Sequence, residues 1–181
     1  VDPSATWREM ENYYKTHNPS VQAGNWTYFG PPNVSGLAGA GRLTFIKVDP
    51  TTPTTLWVGS PAGGLWKSTN SGTSWTTGTD QLASVIGCTD LAIDANNTQI
   101  MYLATGDGDA SDNNSVGILK TTNGGPTWST TGLSFSVGTY RTISKVLIDP
   151  TNSSKIFAAT SEGIYHRQNP GFTWKLPHTA Y

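Results

Sequence analysis

The sequence predicts an all-β protein, a partial β-propeller of three four-stranded antiparallel blades preceded by a short N-terminal helix. Three observations predict this fold. One spacing of glycine and tryptophan occurs three times, apolar residues alternate in the segments before each copy, and charged residues make up only 13% of the chain. A chain of 181 residues with 20 glycines and 11 prolines favours short strands joined by turns over long helices.

The repeated spacing is the strongest of these observations. Each copy begins with a glycine and ends with a tryptophan eleven residues later, over residues 64–75, 117–128 and 163–174. A unit of about 45–55 residues that recurs with strand-like composition is typical of a radial or stacked β array. We therefore interpret the chain as a series of blades.

The chain divides into two expected parts. Residues 1–24 are predicted to form an N-terminal helix and linker, with the helix over residues 4–16 and Ser4 as its N-cap. Residues 25–181 are predicted to form the propeller segment, which opens with an aromatic strand over residues 25–29. Within this segment the blades are expected at about 42–78, 87–131 and 141–177.

Each blade is predicted to contain four strands. The first strands, near residues 44–48, 89–93 and 144–148, alternate apolar and polar residues, which indicates one buried face. The second strands carry an aromatic residue at one shared position and a small residue two positions later, which we attribute to crowding near an axis. These pairs are Trp57 and Gly59, Tyr102 and Ala104, and Phe157 and Ala159. The third strand opens each repeated spacing, and the fourth begins at its tryptophan.

The turn between the third and fourth strands carries a recognisable motif. The run Ser68-Thr69-Asn70-Ser71-Gly72-Thr73-Ser74-Trp75 resembles the Asp-box, Ser-x-Asp-x-Gly-x-x-Trp, of sialidases, sortilin-type propellers and xyloglucanase-type glycoside hydrolases. A closer resemblance is to sortilin-like repeat proteins that bacteria export through type IX secretion. The segments 58–60, 104–109 and 119–125 carry this second resemblance.

The resemblance implies a structural role for the motif, away from the catalytic face. All three copies have asparagine where the motif has aspartate, and either side chain accepts hydrogen bonds from turn amides. The glycine permits a positive φ, and the tryptophan packs over the turn. The residues expected in this role are Ser68, Asn70, Gly72, Trp75, Thr121, Asn123, Gly125, Trp128, Asn169, Gly171 and Trp174.

No catalytic residue is predicted in this chain. Glycoside hydrolysis needs two carboxylates, and the resemblance to xyloglucanases places one of them two residues before a Gly-Gly pair, where this sequence has Pro61. Sialidase chemistry needs three arginines around a carboxylate. Arg42 and Arg141 precede equivalent strands and could face a common channel, but we favour the alternative that each hydrogen-bonds a neighbouring blade. Glu162 is the sole candidate glutamate of the blades. We therefore expect no sialidase activity.

Three functions remain open from the sequence. The favoured one is a non-catalytic propeller, secreted or at the cell surface, that binds a protein or a glycan. The first alternative is the N-terminal part of a polysaccharide-degrading glycosidase, or of another secreted hydrolase, whose catalytic residues lie elsewhere. The second alternative is a structural subunit of a surface assembly. Fold by itself does not distinguish these functions.

A calcium site is the one metal site that the sequence suggests. Asp107, Asp109, Ser111 and Asp112 lie on a glycine-containing loop and can offer hard oxygen ligands to Ca²⁺. The spacing does not match an EF-hand loop. The alternative is an exposed polar loop held by Asx turns.

Composition restricts the expected partners. A net charge of −1 gives no basic surface for nucleic acid, and no run of about 18 apolar residues suggests a membrane span. The single cysteine, Cys88, excludes an internal disulfide.

Three blades do not close a ring, because propellers have about four to eight blades. The expected partner is therefore the remainder of the same propeller or further copies of the chain.

Overall fold

The computed structural model describes residues 41–82, 87–108, 113–168 and 174–178, and the twelve strands within them form three sheets of four. The predicted helix over 4–16 and the predicted strand over 25–29 lie outside the described residues. The strands are β1 Phe45–Val48, β2 Leu56–Ser60, β3 Gly64–Ser68, β4 Thr76–Thr77, β5 Cys88–Ile93, β6 Met101–Thr105, β7 Ile118–Thr121, β8 Ser129–Thr130, β9 Ile143–Asp149, β10 Asn152–Thr160, β11 Gly163–Arg167 and β12 Lys175–His178.

Each sheet is an antiparallel meander, with its four strands in chain order. We call the sheet of β1–β4 blade 1, that of β5–β8 blade 2 and that of β9–β12 blade 3. The predicted fold class is confirmed: the described chain is all-β and contains three four-stranded antiparallel blades. The turn after each first strand is capped by aspartate, as when Asp49 Oδ1 accepts hydrogen bonds from the amides of Thr51 at 2.9 Å and Thr52 at 3.0 Å.

The apolar cores lie between the blades. In blade 2, Leu91 and Leu103 belong to the core shared with blade 1, whereas Tyr102 and Ala104 belong to the core shared with blade 3. This division follows the alternation of side chains along a strand. A central blade is therefore apolar on both faces, and its neighbours cover both. Sheets packed face to face in series make a partial propeller.

The first strands of the blades lie side by side. Strand β5 contacts both β1 and β9, and the fourth strands lie at the far edges of their sheets. Thr44 Oγ1 donates to the carbonyl of Cys88 at 2.6 Å, which ties β1 to β5 directly. The first strands consequently form the inner edge of the array. The cavity described below lies beside their N-terminal ends.

Gly59 has a local reason to be small that the sequence did not show. It pairs with Phe45 across β1 and β2, and a Cβ at residue 59 would lie 2.0 Å from the Phe45 ring. The aromatic ring fills the space that a larger residue would need. Packing between paired strands, in addition to crowding near an axis, therefore explains the small residue in blade 1.

Candidate functional site

An open cavity lies where the first strands begin. It has a volume of about 370 Å³ and is lined by Arg42, Leu43, Thr44, Thr89, Gly108 and Ser144. We call it the axial cavity, because the inner strands of all three blades contribute to its wall. Antiparallel strand order puts the Asp-capped turns and the tryptophan-ended hairpins at the opposite end of the blades.

Hydroxyl groups from equivalent positions of the three repeats line this cavity. Thr44 Oγ1 lies within hydrogen-bond distance of backbone carbonyls, and Ser144 Oγ donates to the carbonyl of Ala159 at 3.3 Å. The Thr89 hydroxyl is buried and has no hydrogen-bond partner among the described residues. Together with the exposed Leu43 and with Arg42, these side chains make a wall of mixed apolar and polar character.

Asp90 joins all three blades beside this wall. Its side chain is 2% exposed and lies on β5. Lys47 of blade 1 lies 3.0 Å from Oδ1, Lys145 of blade 3 lies 3.2 Å from Oδ2, and the amide of Val146 donates to Oδ2 at 3.1 Å. Two lysines and an amide thus occupy the oxygens of Asp90, which gives this carboxylate a structural role between the blades.

The second carboxylate near the cavity is also paired with a cation. Asp107 is buried, and its Oδ2 forms an ion pair with the guanidinium of Arg42. Arg42 thus bonds a neighbouring blade, as we expected of both arginines, whereas Arg141 pairs with Glu162 of its own blade at 2.7 Å. The two arginines therefore have separate local partners, and the described residues do not bring them together around an anion.

The position that the resemblance to xyloglucanases assigns to a catalytic aspartate holds Pro61, in the turn between β2 and β3. Pro61 is buried, and its carbonyl accepts a hydrogen bond from Asn113 Nδ2 at 2.7 Å. A proline here supplies no acid. Among the described residues, the carboxylates that flank the cavity are Asp90 and Asp107, and cations hold both. Among the described residues, the cavity therefore has no pair of carboxyl groups that is free of ion pairs.

The hairpin of blade 1 is organised around two polar side chains. Ser68 Oγ accepts hydrogen bonds from the amides of Gly72 at 2.8 Å and Asn70 at 3.3 Å, and donates to Asn70 Oδ1 at 2.9 Å. Asn70 Oδ1 also accepts from the amide of Ser74 at 2.9 Å. Gly72 has a φ of 87°, a conformation that glycine adopts without strain.

The hairpin of blade 2 repeats this arrangement position by position. Thr121 Oγ1 accepts from the amides of Gly125 at 3.1 Å and Asn123 at 3.3 Å, and Asn123 Oδ1 accepts from the amide of Thr127 at 3.2 Å. The asparagine Nδ2 donates to the Thr127 hydroxyl at 2.8 Å, a bond that an aspartate could not make. In blade 3, Asn169 and Gly171 lie outside the described residues.

The tryptophans at the ends of these hairpins tie each blade to the one before it. Trp128 Nε1 donates to the carbonyl of Gly78 at 3.2 Å, and Trp174 Nε1 donates to the carbonyl of Thr131 at 3.1 Å. Gly78 and Thr131 are equivalent, because each lies three residues beyond the tryptophan of its own blade. The equivalent nitrogen of Trp75 has no acceptor among the described residues.

The predicted calcium loop is described only in part. Asp107 is buried and paired with Arg42, whereas Asp109, Ser111 and Asp112 lie outside the described residues. Within the described ranges, no group of three His, Cys, Asp or Glu side chains is placed to hold a metal ion. The calcium site stays a prediction.

Cys88 and Asp90 show what the sequence signalled and what it missed. Cys88 is buried at the start of β5, and burial raises the pKa of its thiol to about 12, so it is unreactive at neutral pH. The role of Asp90 was not predicted, because the equivalent residues Phe45 and Lys145 do not repeat it. A charged residue inside an otherwise uncharged strand was the available signal.

Comparison with known proteins supports the propeller fold. No established family profile matches the sequence. It is 30% identical over 158 residues to a xyloglucanase of Hypocrea jecorina strain QM6a, an alignment that covers 81% of this chain and 19% of that protein. The chain therefore spans about a fifth of the curated relative that it matches.

Solved structures share the architecture. An ancestral GH74 enzyme aligns with a TM-score of 0.61 and 22% identity, over 74% of this chain and 18% of its own. A GH74 enzyme of Niastella koreensis aligns with a TM-score of 0.56 and 21% identity, over 75% of this chain and 22% of its own. YCF48 of Cyanidioschyzon merolae aligns with a TM-score of 0.51 and 19% identity, over 74% of this chain and 36% of its own. The chain is a segment of a β-propeller. These low identities show the fold alone.

No helical segment in the ranges that the structure describes has the length and apolar character that a membrane crossing requires.

Proposed function

We propose that this chain belongs to a secreted β-propeller that binds a hydroxyl-rich polysaccharide of the xyloglucan class at its axial cavity, and that the chain itself does not hydrolyse the glycan. We further propose that its hairpins are asparagine variants of the Asp-box, of the sortilin-like type. The similarity to a xyloglucanase over 81% of the chain supports this ligand class.

One observation carries the non-catalytic part of the proposal. Among the described residues, the carboxylates beside the cavity are held by cations, Asp90 by two lysines and Asp107 by Arg42. A glycosidase needs one carboxyl group that keeps its proton at working pH and a second that stays free to act as nucleophile or base. Carboxylates that are held in ion pairs are not free to take either role.

The wall of the cavity combines apolar and polar groups, which suits a sugar. Thr44 and Ser144 contribute hydroxyl-bearing side chains from two blades, and Leu43 adds an exposed apolar surface. Sugar rings offer both hydroxyl groups and apolar C–H faces, so a site of this mixed chemistry can recognise them.

The test measures binding and hydrolysis separately, with the 181-residue chain. Affinity electrophoresis in gels that contain xyloglucan should retard the chain, while an assay for new reducing ends should detect no cleavage. Ser144→Trp, which fills the cavity from an exposed position, should abolish the retardation. Thr69→Trp, on the exposed hairpin turn, should leave it unchanged. Equal mobility with and without xyloglucan would refute the proposal.

A second candidate is a glycosidase whose acids lie in other parts of the protein, and the similarity to a xyloglucanase favours it. In that case the full-length gene product should release reducing ends from xyloglucan, whereas the 181-residue chain should bind without cleaving. The two measurements together decide whether this segment serves an enzyme or a binding protein.

A further inference from the structure

Tyr140 is an exposed aromatic residue in a backbone conformation that bulky side chains rarely adopt. Its φ is 53°, in the left-handed region, and the residue is 71% exposed. Steric contacts of the Cβ make this conformation unfavourable for most residues, and glycine or asparagine is the usual choice. A side chain so exposed buries little apolar surface that could offset the strain. Packing within the fold therefore does not explain a tyrosine at this position.

Among the described residues, the other non-glycine position with a positive φ has a structural explanation. Ser71 has a φ of 56° in the hairpin turn of blade 1, where its amide donates to the carbonyl of Thr54 at 2.9 Å. The equivalent residue of blade 2 is Gly124, with a φ of 72°. The hairpin geometry thus requires this conformation twice. Tyr140 lies outside the hairpins, in the connection between blades 2 and 3.

Hydrogen bonds fix the chain just before Tyr140. The Thr139 hydroxyl donates to the carbonyl of Ser136 at 2.8 Å, and the amide of Thr139 donates to the same carbonyl at 3.2 Å. The amide of Gly138 donates to Asn114 Oδ1 at 3.3 Å, which ties this connection to the loop between β6 and β7. The approach to Tyr140 is therefore held in place from two directions.

The chain is also fixed just after Tyr140. Arg141 forms an ion pair with Glu162 at 2.7 Å. The amide of Thr142 donates to Ser161 Oγ at 3.1 Å, and the amide of Ser161 donates to the Thr142 carbonyl at 3.0 Å. Anchors on both sides impose the conformation of Tyr140, which is the condition under which backbone strain persists at a binding site.

The connection that carries Tyr140 leads directly to the axial cavity. It follows β8 at the outer edge of blade 2 and enters β9, whose second residue, Ser144, lines the cavity. Four positions separate Tyr140 from Ser144, so their Cα atoms lie at most about 14 Å apart. An extended ligand that occupies the open cavity and continues past its rim can therefore reach Tyr140.

The tyrosine ring has the chemistry that such a ligand requires. A sugar ring has an apolar face of C–H groups, on which an aromatic ring can pack, and hydroxyl groups to which a phenol can hydrogen-bond. Tyrosine has only two side-chain torsions to fix, and the backbone of Tyr140 is already held. Binding therefore orders few additional torsions, which favours affinity.

We propose that Tyr140 is a binding residue of the glycan site, and that its ring stacks on a sugar unit of a chain that extends from the axial cavity. This inference rests on the proposed function of that cavity. If the strained residue serves the ligand and not the fold, its replacement should improve stability and impair binding at the same time. A residue with a purely structural role would not show this opposition.

The test compares variants of Tyr140 and Val137 in the 181-residue chain, by affinity electrophoresis in xyloglucan gels and by thermal denaturation. Tyr140→Asn should raise the melting temperature, because asparagine tolerates left-handed backbone. It should also raise the apparent Kd for xyloglucan about tenfold or more, as the loss of an aromatic contact does. Val137→Asn, at a position 73% exposed in the same connection, should change neither quantity. Tyr140→Phe keeps the ring and should retain binding.

The outcomes separate this inference from the proposed function. An unmodified chain that xyloglucan does not retard refutes the proposed function and this inference together. An unmodified chain that is retarded, with Tyr140→Asn retarded equally, overturns this inference alone. A fall in the melting temperature of both Tyr140→Asn and Tyr140→Gly would show that the ring packs in the fold, and would overturn it too. Loss of binding by Tyr140→Phe would contradict stacking.

Discussion

Trp128 Nε1 donates a hydrogen bond to the carbonyl oxygen of Gly78 at 3.2 Å, across the joint between blades 2 and 1. Trp174 makes the same bond to Thr131 at 3.1 Å, across the joint between blades 3 and 2. The tryptophans that end the hairpins of blades 2 and 3 therefore each have two functions. The ring packs against the core that two blades share, and the nitrogen fixes their relative position.

Trp128→Phe should lower the free energy of unfolding by about 1–2 kcal/mol. The change removes one hydrogen bond and leaves a partly buried carbonyl unpaired, while most of the ring is kept. Trp75→Phe is the matched control and should cost less than about 0.5 kcal/mol, because its nitrogen has no acceptor among the described residues. Urea denaturation at a low protein concentration measures both. Equal losses would contradict the role of this bond.

Thr121→Val should lower the free energy of unfolding by about 1–3 kcal/mol. The Thr121 hydroxyl is buried and accepts from the amides of Asn123 and Gly125, so valine leaves both donors without this acceptor. Thr122→Val, at the exposed neighbouring position, should change stability by less than about 0.5 kcal/mol. Thermal denaturation of the two variants provides the comparison, and similar melting temperatures would argue against a central role for this hydroxyl.

Asp90→Asn should lower the free energy of unfolding by about 1–3 kcal/mol, because it removes the charge that two lysines face while keeping the size of the side chain. High salt should reduce this loss only in part, since the carboxylate is buried whereas the Lys47 and Lys145 side chains are 30% and 48% exposed. Asp80→Asn, at an exposed position, is the control. A variant as stable as the unmodified chain would mean that Asp90 does not hold the blades together.

Acid should destabilise the chain through the aspartates that cap its turns. Hydrogen bonds from the Thr151 side chain, followed by those from Lys155 and the Thr151 amide, lower the pKa of Asp149. Burial alone would raise the pKa of Asp49, but hydrogen bonds from Thr51 and Thr52 outweigh it, so that pKa is lowered too.

A lowered folded-state pKa means that the folded chain binds fewer protons than the unfolded chain. The resulting stability is fully present above about pH 4, the ordinary range of aspartate, and is lost as the pH falls through the folded-state value. Melting temperature should therefore decline below about pH 4. The double variant Asp49→Asn, Asp149→Asn should show a shallower decline, and identical curves would exclude these caps as the cause.

The predicted calcium site has a direct test. If Asp109, Ser111 and Asp112 bind Ca²⁺ with Asp107, added CaCl₂ should raise the melting temperature by mass action. Isothermal titration should show a saturable heat. Asp109→Asn together with Asp112→Asn should remove both effects, whereas MgCl₂ should not reproduce them. A chain that shows neither effect has no such site.

The spacing of residues along the chain determined the sheets. Period-two alternation in the first and second strands, together with glycine at the turns, sufficed to predict three antiparallel blades and the hairpins between their third and fourth strands. These features are local, because hydrogen bonds such as those of Ser68 and Thr121 join residues two to four positions apart. Contacts between residues this close along the chain can be predicted from the sequence.

Tertiary structure alone decided what joins one blade to the next. Trp128 and Gly78 are 50 residues apart, and Asp90 and Val146 are 56 apart, so no local pattern links them. The same alternation occurs at Ile46 and at Leu91, yet one residue is exposed and the other is buried. Burial depends on whether another sheet covers the face, and a strand's own residues do not encode the presence of that sheet.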